Sequence, residues 1–199
     1  MIGAKGRLLA RRLCLLLGFA AAILIAGILQ RELQGNFHVV SEGVVYRSAR
    51  LAGDSLHDRV SRYHIKSILN LMGPEPESQW YKEEVAVATA LGIARYDARI
   101  PTRKDVSDVD LDRILAILRD APKPILIHCN AGADRTSLVA ALYLYRMECK
   151  SADEAERQLS VRYGHFPFFG NSTIAMDRTF RRYAGTHSLC AFPLEGSSL

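Results

Sequence analysis

The sequence predicts an α/β fold, with a central, mostly parallel sheet of about four or five strands flanked by helices. Short segments rich in β-branched residues alternate with helical patterns of ten or more residues, the arrangement typical of α/β layers. The segment PILIH, residues 124–128, is apolar without alternation, as expected for a strand covered on both faces. Because such sheets bind ligands at the carboxyl ends of their strands, the residues after PILIH are the first candidates for a functional site.

Each predicted element has its own local evidence. β-Branched or aromatic residues flanked by Gly or Pro predict strands at residues 44–48, 66–71, 93–100 and 124–128. Apolar residues at helical spacing, capped by Ser107 and by a Ser151–Glu154 capping box and ended once by Gly92, predict helices. The predicted helices are residues 78–91, 108–119, 136–148, 153–162 and 173–183.

The positive charge lies mainly at the amino end. Residues 1–12 form a basic segment that holds Lys5, Arg7, Arg11 and Arg12 and no acid. Removing these four from the 26 basic residues leaves 22 against 21 acidic ones, so the remainder carries a charge near zero. A nearly neutral folded part gives no support for nucleic-acid binding.

Residues 13–29 form an uncharged apolar run, which predicts a transmembrane signal anchor. A cleaved secretory signal is the alternative, since a basic start and an apolar middle fit both, and Arg11–Arg12 is a weak twin-arginine pattern. Basic residues stay on the cytoplasmic side, so we expect a single-pass membrane protein whose catalytic domain faces outward, into the periplasm of a bacterium. The segments that follow are a tether at 30–42, a catalytic domain at 43–185 and a tail at 186–199.

The four cysteines, Cys14, Cys129, Cys149 and Cys190, show no CxxC pair and no histidine spacing typical of zinc. We therefore expect no structural metal. In an oxidising compartment Cys149 and Cys190 could pair, but two unpaired or buried thiols fit the sequence equally well.

The stretch HCNAGADRT, residues 128–136, runs from the predicted central strand into a helix. A loop that enters a helix start presents backbone N–H groups without intrahelical partners, and the helix dipole adds positive potential. Gly132 permits a positive φ, while Ala131 and Ala133 keep side chains out of the resulting concave nest of amides. Arg135, six residues after Cys129, can donate two parallel hydrogen bonds to phosphate oxygens.

Cys129 lies where these positive groups converge, so we expect a thiolate that acts as a nucleophile without a separate base. Thr136 is placed to donate a hydrogen bond to the sulfur, and His128 to support the shape of the loop. The scheme requires no metal and no organic cofactor.

The string HCxxGxxRT resembles the signature of the cysteine-dependent protein tyrosine and dual-specificity phosphatases. VYRSARL, SILNLMGPEPES and RIPTRKD resemble flanking segments of the compact bacterial members, so the resemblance covers about residues 43–185. It implies Cys129 as nucleophile and Arg135 as phosphate binder. It also implies a phosphate cradle made by Asn130, Ala131, Gly132, Ala133, Asp134 and Arg135. Ser137 stands where most members have Gly.

The resemblance leaves two candidates for the general acid. Many relatives carry an aspartate after a segment like RIP, where this chain has Thr102 and then Asp105. A branch of bacterial tyrosine phosphatases and some lipid phosphatases instead have Asp directly before the signature Arg, as Asp134 is here. We favour Asp134, because an acid must lie within hydrogen-bond reach of the leaving oxygen.

The expected activity is phosphomonoester hydrolysis through a phosphocysteine, on phosphotyrosine or other phosphorylated protein residues. A phospholipid substrate, such as a phosphoinositide or phosphatidylglycerol phosphate, is the second possibility, because tethering raises the effective concentration of bilayer substrates. The sequence is also compatible with a rhodanese-like sulfurtransferase, which uses a cysteine in a loop of an α/β fold, and with an inactive phosphate-binding module.

Overall fold

The computed structural model describes residues 11–12, 14–19, 27 and 34–190, and the chain separates into two compact units, Met1–Gln34 and Gly35–Leu199. In the first unit, residues 11–12, 14–19 and 27 are helical. Within these described ranges, no helix has both the length and the apolar character needed to cross a bilayer. Most of the expected membrane segment at 13–29, and most of the basic segment at 1–12, lies outside the described residues.

The second unit is built on a five-stranded sheet, in the order β1-β2-β5-β3-β4. β2 (Val45–Ala49), β5 (Ile125–Cys129), β3 (Ser67–Asn70) and β4 (Ala94–Asp97) run parallel, and β1 (His38–Ser41) is antiparallel to β2. All five residues of β5 are buried, and this strand is the middle one. The predicted α/β class, strand number and central position of PILIH are confirmed.

β1 lies in the segment that the sequence predicts to be a tether, residues 30–42. Val39 pairs with Tyr46 of β2, and a register shift follows between Val39 and Ser41. The segment therefore completes the sheet as an edge strand, which stays short and irregular as edges commonly do. The four residues HVVS are too few for their sequence to predict a strand, and their pairing with β2 is what makes them one.

Six α-helices and a 3₁₀ turn are described in the second unit. They are α1 (Gly53–Arg62), α2 (Gln79–Leu91), α3 (Asp108–Asp120), α4 (Asp134–Arg146), α5 (Ala152–Glu156), the 3₁₀ turn Val161–Tyr163, and α6 (Ile174–Thr186). The sequence patterns miss α1, which buries only Leu56 and Val60 and so has almost no apolar stripe.

The helix expected at residues 153–162 is wrong beyond its first turn. After Glu156, the backbone bonds of Gln158 and Leu159 reach back only three residues, to Ala155 and Glu156. The buried side chain of Gln158 accepts a hydrogen bond from Arg47, 111 residues earlier in the chain. The helix therefore ends near the contact between Gln158 and Arg47, although the local sequence pattern predicts that it continues to residue 162.

Helices cover both faces of the sheet. α4 is buried along its whole length from Thr136 to Arg146, and its apolar side chains belong to the larger core with α3 and α6. A smaller core of Phe37, Tyr46, Ile68 and Leu126, closed by α1, lies against the other face. This sandwich fixes β5 and α4, the two elements that flank the HCNAGADRT stretch.

The carboxyl end of the described chain is tied to the domain. A disulfide joins Cys149, just after α4, to Cys190, after α6. The Tyr145 hydroxyl donates to the carbonyls of Ala184 and His187 nearby. The first part of the predicted tail, 186–199, is therefore attached to the domain, and residues 191–199 lie outside the described part.

Candidate active site

The HCNAGADRT stretch connects the central strand to the most buried helix. Cys129 is the last residue of β5 and is 3% exposed, while Asp134 is the first residue of α4. The intervening residues form a tight loop beside the end of β2, where the Arg50 amide donates to the carbonyl of Asn130 at 3.2 Å. The expected order of strand, loop and helix start is confirmed, with the helix beginning one or two residues early.

Gly132 is the residue on which the loop shape depends. Its φ is +64°, and a Cβ there would lie 2.5 Å from the Ala49 amide nitrogen and 2.6 Å from the Ser48 carbonyl oxygen. These neighbours are backbone atoms of β2 and cannot rotate away. Only glycine satisfies both the left-handed backbone and this close approach.

Arg135 follows at the first turn of α4 and faces a neighbouring cavity. Its Nη1 donates to the Leu71 carbonyl at 3.1 Å, and its buried Nε has no partner among the residues that the structure describes. The cavity, of about 480 Å³, is lined by Arg135 and by Met72, Glu75, Arg99, Ile100, Pro101 and Thr102. A guanidinium thus lies at one wall of an open space at the carboxyl ends of the strands.

The two candidate acids have different surroundings. Asp134 lies in the loop, its side chain 24% exposed, and its Oδ1 is 2.7 Å from Nδ1 of His165. Asp105 precedes α3, where its 48% exposed carboxylate forms an ion pair with Arg178 of α6 at 2.7 Å. Neither Asp134 nor Asp105 is among the residues that line the cavity beside Arg135, whereas Thr102 is.

A family model described as "PTP-SAK: Swiss Army Knife protein, DSP-PTPase phosphatase domain" matches residues 38–184. The chain belongs to this phosphatase family. It is a cysteine-dependent phosphatase and a phosphoric monoester hydrolase, as the resemblance in the sequence predicts.

Solved structures share the fold of the phosphatase. TpbA from P. aeruginosa is 20% identical over 72% of this chain and 84% of its own, with a TM-score of 0.54. A variant of TpbA in complex with pTyr has a TM-score of 0.55 at 17% identity, covering 77% of this chain and 92% of its own. The catalytic core of Siw14 from S. cerevisiae, described as a PP-IP phosphatase, is 27% identical over 75% of this chain and 92% of its own, with a TM-score of 0.51.

Arg47 supports the phosphatase loop from behind, a feature that sequence reasoning missed. This fully buried residue of β2 donates to the Gly132 carbonyl at 2.7 Å, to Ser137 Oγ at 2.7 Å and to Gln158 Oε1 at 2.6 Å. Burial lowers the pKa of Arg47 to about 10, against the opposing effects of Tyr163 and Cys129, so it remains a cation at neutral pH. The first of the two arginines within VYRSARL is the signal that could have found it.

The hydrogen bond from Arg47 gives Ser137 a structural role. It stands where most members of the resembling family have glycine, and its hydroxyl accepts the hydrogen bond from Arg47. The adjacent Thr136 is fully buried, and its hydroxyl has no partner among the described residues. The structure therefore shows no hydrogen bond from this hydroxyl to the sulfur of Cys129, and its role as donor there stays a prediction.

His128 of β5 contacts a carboxylate of helix α2, and its support of the loop shape stays a prediction. Its Nε2 lies 2.9 Å from Oε2 of Glu84, and both side chains are buried. Arg95 of β4 donates to the other Glu84 oxygen through two nitrogens. Burial alone would raise the pKa of Glu84, but His128 and Arg95 prevail and lower it, so a carboxylate is held against the histidine.

His165, on the loop before α6, is completely buried between two carboxylates. Its Nδ1 lies 2.7 Å from Asp134 Oδ1 and its Nε2 lies 2.8 Å from Asp177 Oδ2. Burial opposes a positive charge, yet the hydrogen bonds to Asp134 and Asp177 prevail and raise the pKa of His165 to about 9. The ring is therefore an imidazolium at neutral pH.

The close approach at Gly132 predicts a large effect of one methyl group. Gly132→Ala should lower kcat/KM for p-nitrophenyl phosphate and the affinity for tungstate by about tenfold or more, because the loop must move away from β2. Steady-state kinetics and calorimetric titration measure the two effects. Gly43→Ala is the matched control, since Gly43 has φ +69° but no atom within 4 Å of a new Cβ. Equal effects of the two substitutions would contradict the steric explanation.

The ion pairs of His165 predict a pH-dependent stability. Since folding raises its pKa from 6.5 to about 9, the contribution is fully present below pH 6.5 and is lost as the pH rises through 9. The difference in unfolding free energy between wild type and His165→Gln should therefore shrink by up to about 3 kcal/mol between pH 6.5 and 9.5. Urea denaturation measures it, with His57→Gln at an exposed position of α1 as control. A constant difference would disprove the pairing.

Proposed function

We propose that this phosphatase hydrolyses phosphomonoesters with Cys129 as the nucleophile and a phosphocysteine as the intermediate. The observation that carries the proposal is the position of Cys129 at the end of the buried central strand, directly before the loop that Gly132 shapes, with Arg135 of the following helix at the wall of a cavity. Amides at the start of α4, the dipole of that helix and the guanidinium favour a bound phosphate dianion. The loop residues Asn130 to Arg135 provide the cradle.

In the first step the thiolate forms a bond with phosphorus while the bond to the leaving oxygen breaks. Arg135 donates to two of the nonbridging oxygens, whose charge grows in the transition state. In the second step a water oxygen attacks phosphorus and the bond to sulfur breaks, which releases inorganic phosphate. The hydroxyl of Thr136 donates to the sulfur and stabilises its departure.

Asp134 is the proposed general acid of the first step and general base of the second. It belongs to the loop that binds the phosphoryl group, so it needs no loop closure to reach the leaving oxygen. Asp105 is the weaker candidate, because it lies outside the stretch that carries Cys129 and Arg135 and its exposed carboxylate is paired with Arg178.

The favoured substrates are phosphotyrosine and other phosphorylated side chains of proteins. A cavity of about 480 Å³ beside Arg135 has the size of a small-molecule site, and a TpbA variant of the same fold has been solved in complex with pTyr. A phospholipid headgroup is the second candidate. Arg99 lines the same cavity and supplies another cation for a substrate with several phosphates, and Siw14 is named as a PP-IP phosphatase.

We also propose that residues 13–29 anchor the chain in a membrane, with the catalytic domain on the outer, periplasmic side. The Cys149–Cys190 disulfide supports an oxidising compartment, and the basic residues before the apolar run support this orientation. A reporter fused after Leu199 that is active only in the cytoplasm would reverse the assignment.

A substrate panel tests the proposed reaction. The purified protein should release phosphate from phosphotyrosine peptides, and Cys129→Ser should lower the rate by roughly 1,000-fold or more, because the nucleophile is lost. Phosphoserine peptides, phosphoinositides and phosphatidylglycerol phosphate complete the panel. Mass spectrometry of a rapidly quenched reaction should find phosphate on Cys129. Sulfur transfer from thiosulfate, or no hydrolysis by the reduced protein, would instead support the sulfurtransferase or the inactive module.

A pair of isosteric substitutions tests the acid. Asp134→Asn should lower kcat for phenyl phosphate by about 100-fold or more, since a poor leaving group needs its proton, and should remove the alkaline limb of the pH profile. Asp105→Asn is the matched comparison and should leave both quantities near wild type. If Asp105→Asn removes the limb and Asp134→Asn keeps it, the two assignments are reversed.

A further inference from the structure

A hydrogen-bonded chain of three side chains joins the signature loop to helix α6. It runs from Asp134 through His165 to Asp177, with both ring nitrogens of the histidine engaged. His165 is fully buried, Asp177 is 6% exposed, and Asp134 at the loop end is 24% exposed. Only the Asp134 end of the chain has substantial contact with solvent.

The other charged groups around this chain come from α5 and α6. A cavity of about 260 Å³ on the far side of the histidine is lined by His165, Asp177, Glu156 and Arg181, among others. Glu156 accepts a hydrogen bond from Arg181 at 2.6 Å, and Arg181 also interacts electrostatically with Asp177. The charged groups that act on His165 itself are the two aspartates that it contacts.

We infer that His165 and Asp177 are positioning residues that set the orientation and the acid strength of Asp134. The inference rests on the proposed role of Asp134 in phosphoryl transfer. The bond from His165 occupies Oδ1, which leaves Oδ2 as the oxygen that exchanges a proton with the substrate. Because the histidine has no freedom to turn in its buried site, the carboxyl plane is fixed before substrate binds.

Proton balance explains why a cation is useful at this place. In the first step the proton on Asp134 Oδ2 moves to the leaving oxygen as the bond between phosphorus and that oxygen breaks and the bond from Cys129 forms. The Asp134 carboxylate left behind is stabilised by the imidazolium at Oδ1. In the second step Oδ2 takes a proton from the attacking water, whose oxygen bonds to phosphorus as the bond to sulfur breaks, and the acid is restored.

Two opposing effects act on Asp134 when substrate is bound. A phosphate dianion nearby favours the protonated acid, while the imidazolium favours the carboxylate. Asp177 maintains the second effect, since its own carboxylate keeps the buried ring charged. The three side chains thus connect a buried cation to the carboxyl group that is proposed to exchange the proton.

The decisive experiment compares two leaving groups in Asp177→Asn. This variant should lower kcat about tenfold for phenyl phosphate, which needs the proton, and change kcat for p-nitrophenyl phosphate much less. The alkaline limb of the phenyl phosphate profile should move to higher pH, because Asp134 becomes a weaker acid. KM and tungstate affinity should stay near wild type. Asp108→Asn is the control. Asp108 of α3 forms an ion pair with Arg182 of α6, so the substitution removes a similar charge contact that does not involve His165 or Asp134.

A double substitution separates positioning from simple structural support. If Asp177 acts through Asp134, Asp177→Asn should have no further effect on kcat in an Asp134→Asn background. An additive loss, or equal losses for the two leaving groups, would overturn the inference. Asp134→Asn with wild-type kinetics would refute the proposed acid and the inference together. A defective Asp134→Asn beside a wild-type-like Asp177→Asn would refute the inference alone.

Two further measurements test the inference if Asp177→Asn does not fold. His165→Gln removes the cation from the other side and should show the same selective loss with phenyl phosphate. Nitrogen-15 NMR of the wild-type protein with labelled histidine needs no substitution. Both ring nitrogens of His165 should remain protonated at pH 8, and a ring that is already neutral at that pH would overturn the inference.

Discussion

The close approach of the signature loop to strand β2 is the constraint on which the site depends. Gly132 allows the chain to reverse within van der Waals distance of the Ser48–Ala49 peptide, and Arg47 of the same strand donates to the Gly132 carbonyl from below. The loop is thus fixed on that side, between Cys129 at the end of β5 and Arg135 in the first turn of α4. The proposed phosphate site therefore depends on one backbone turn that is packed against a strand.

Buried charged and polar side chains surround this loop on three sides, and each contacts a polar or charged partner. Arg47 lies behind it with Gln158 and Ser137, His128 meets Glu84 on the α2 side, and His165 lies between Asp134 and Asp177 on the α6 side. Breaking one partner of such a pair leaves an uncompensated charge in a medium of low dielectric constant. The domain thus accepts an energetic cost in its interior to hold a small number of loop atoms in fixed positions.

The local sequence pattern predicted correctly those helices and strands whose own residues determine their structure. The uninterrupted apolar run of β5 and the apolar stripe of α3 predict these elements from sequence alone. The helix expected at 78–91 ends at Gly92 in the structure, as the sequence predicts. The failures are elements whose stability comes from elsewhere. β1 depends on pairing with β2, α1 buries only two apolar side chains, and the helix after Ser151 stops early in the region where Gln158 meets Arg47.

By itself, the sequence determined the class of fold, the phosphatase family and the loop that carries Cys129, Gly132 and Arg135. It could do so because a strand, a nest of amides and a helix start are encoded within one short stretch of chain. Tertiary structure alone decided which distant side chains support that stretch. Arg47, Glu84, His165 and Asp177 all lie far from it along the chain, and no local rule of spacing links a buried charge to a partner that only folding brings within hydrogen-bond distance.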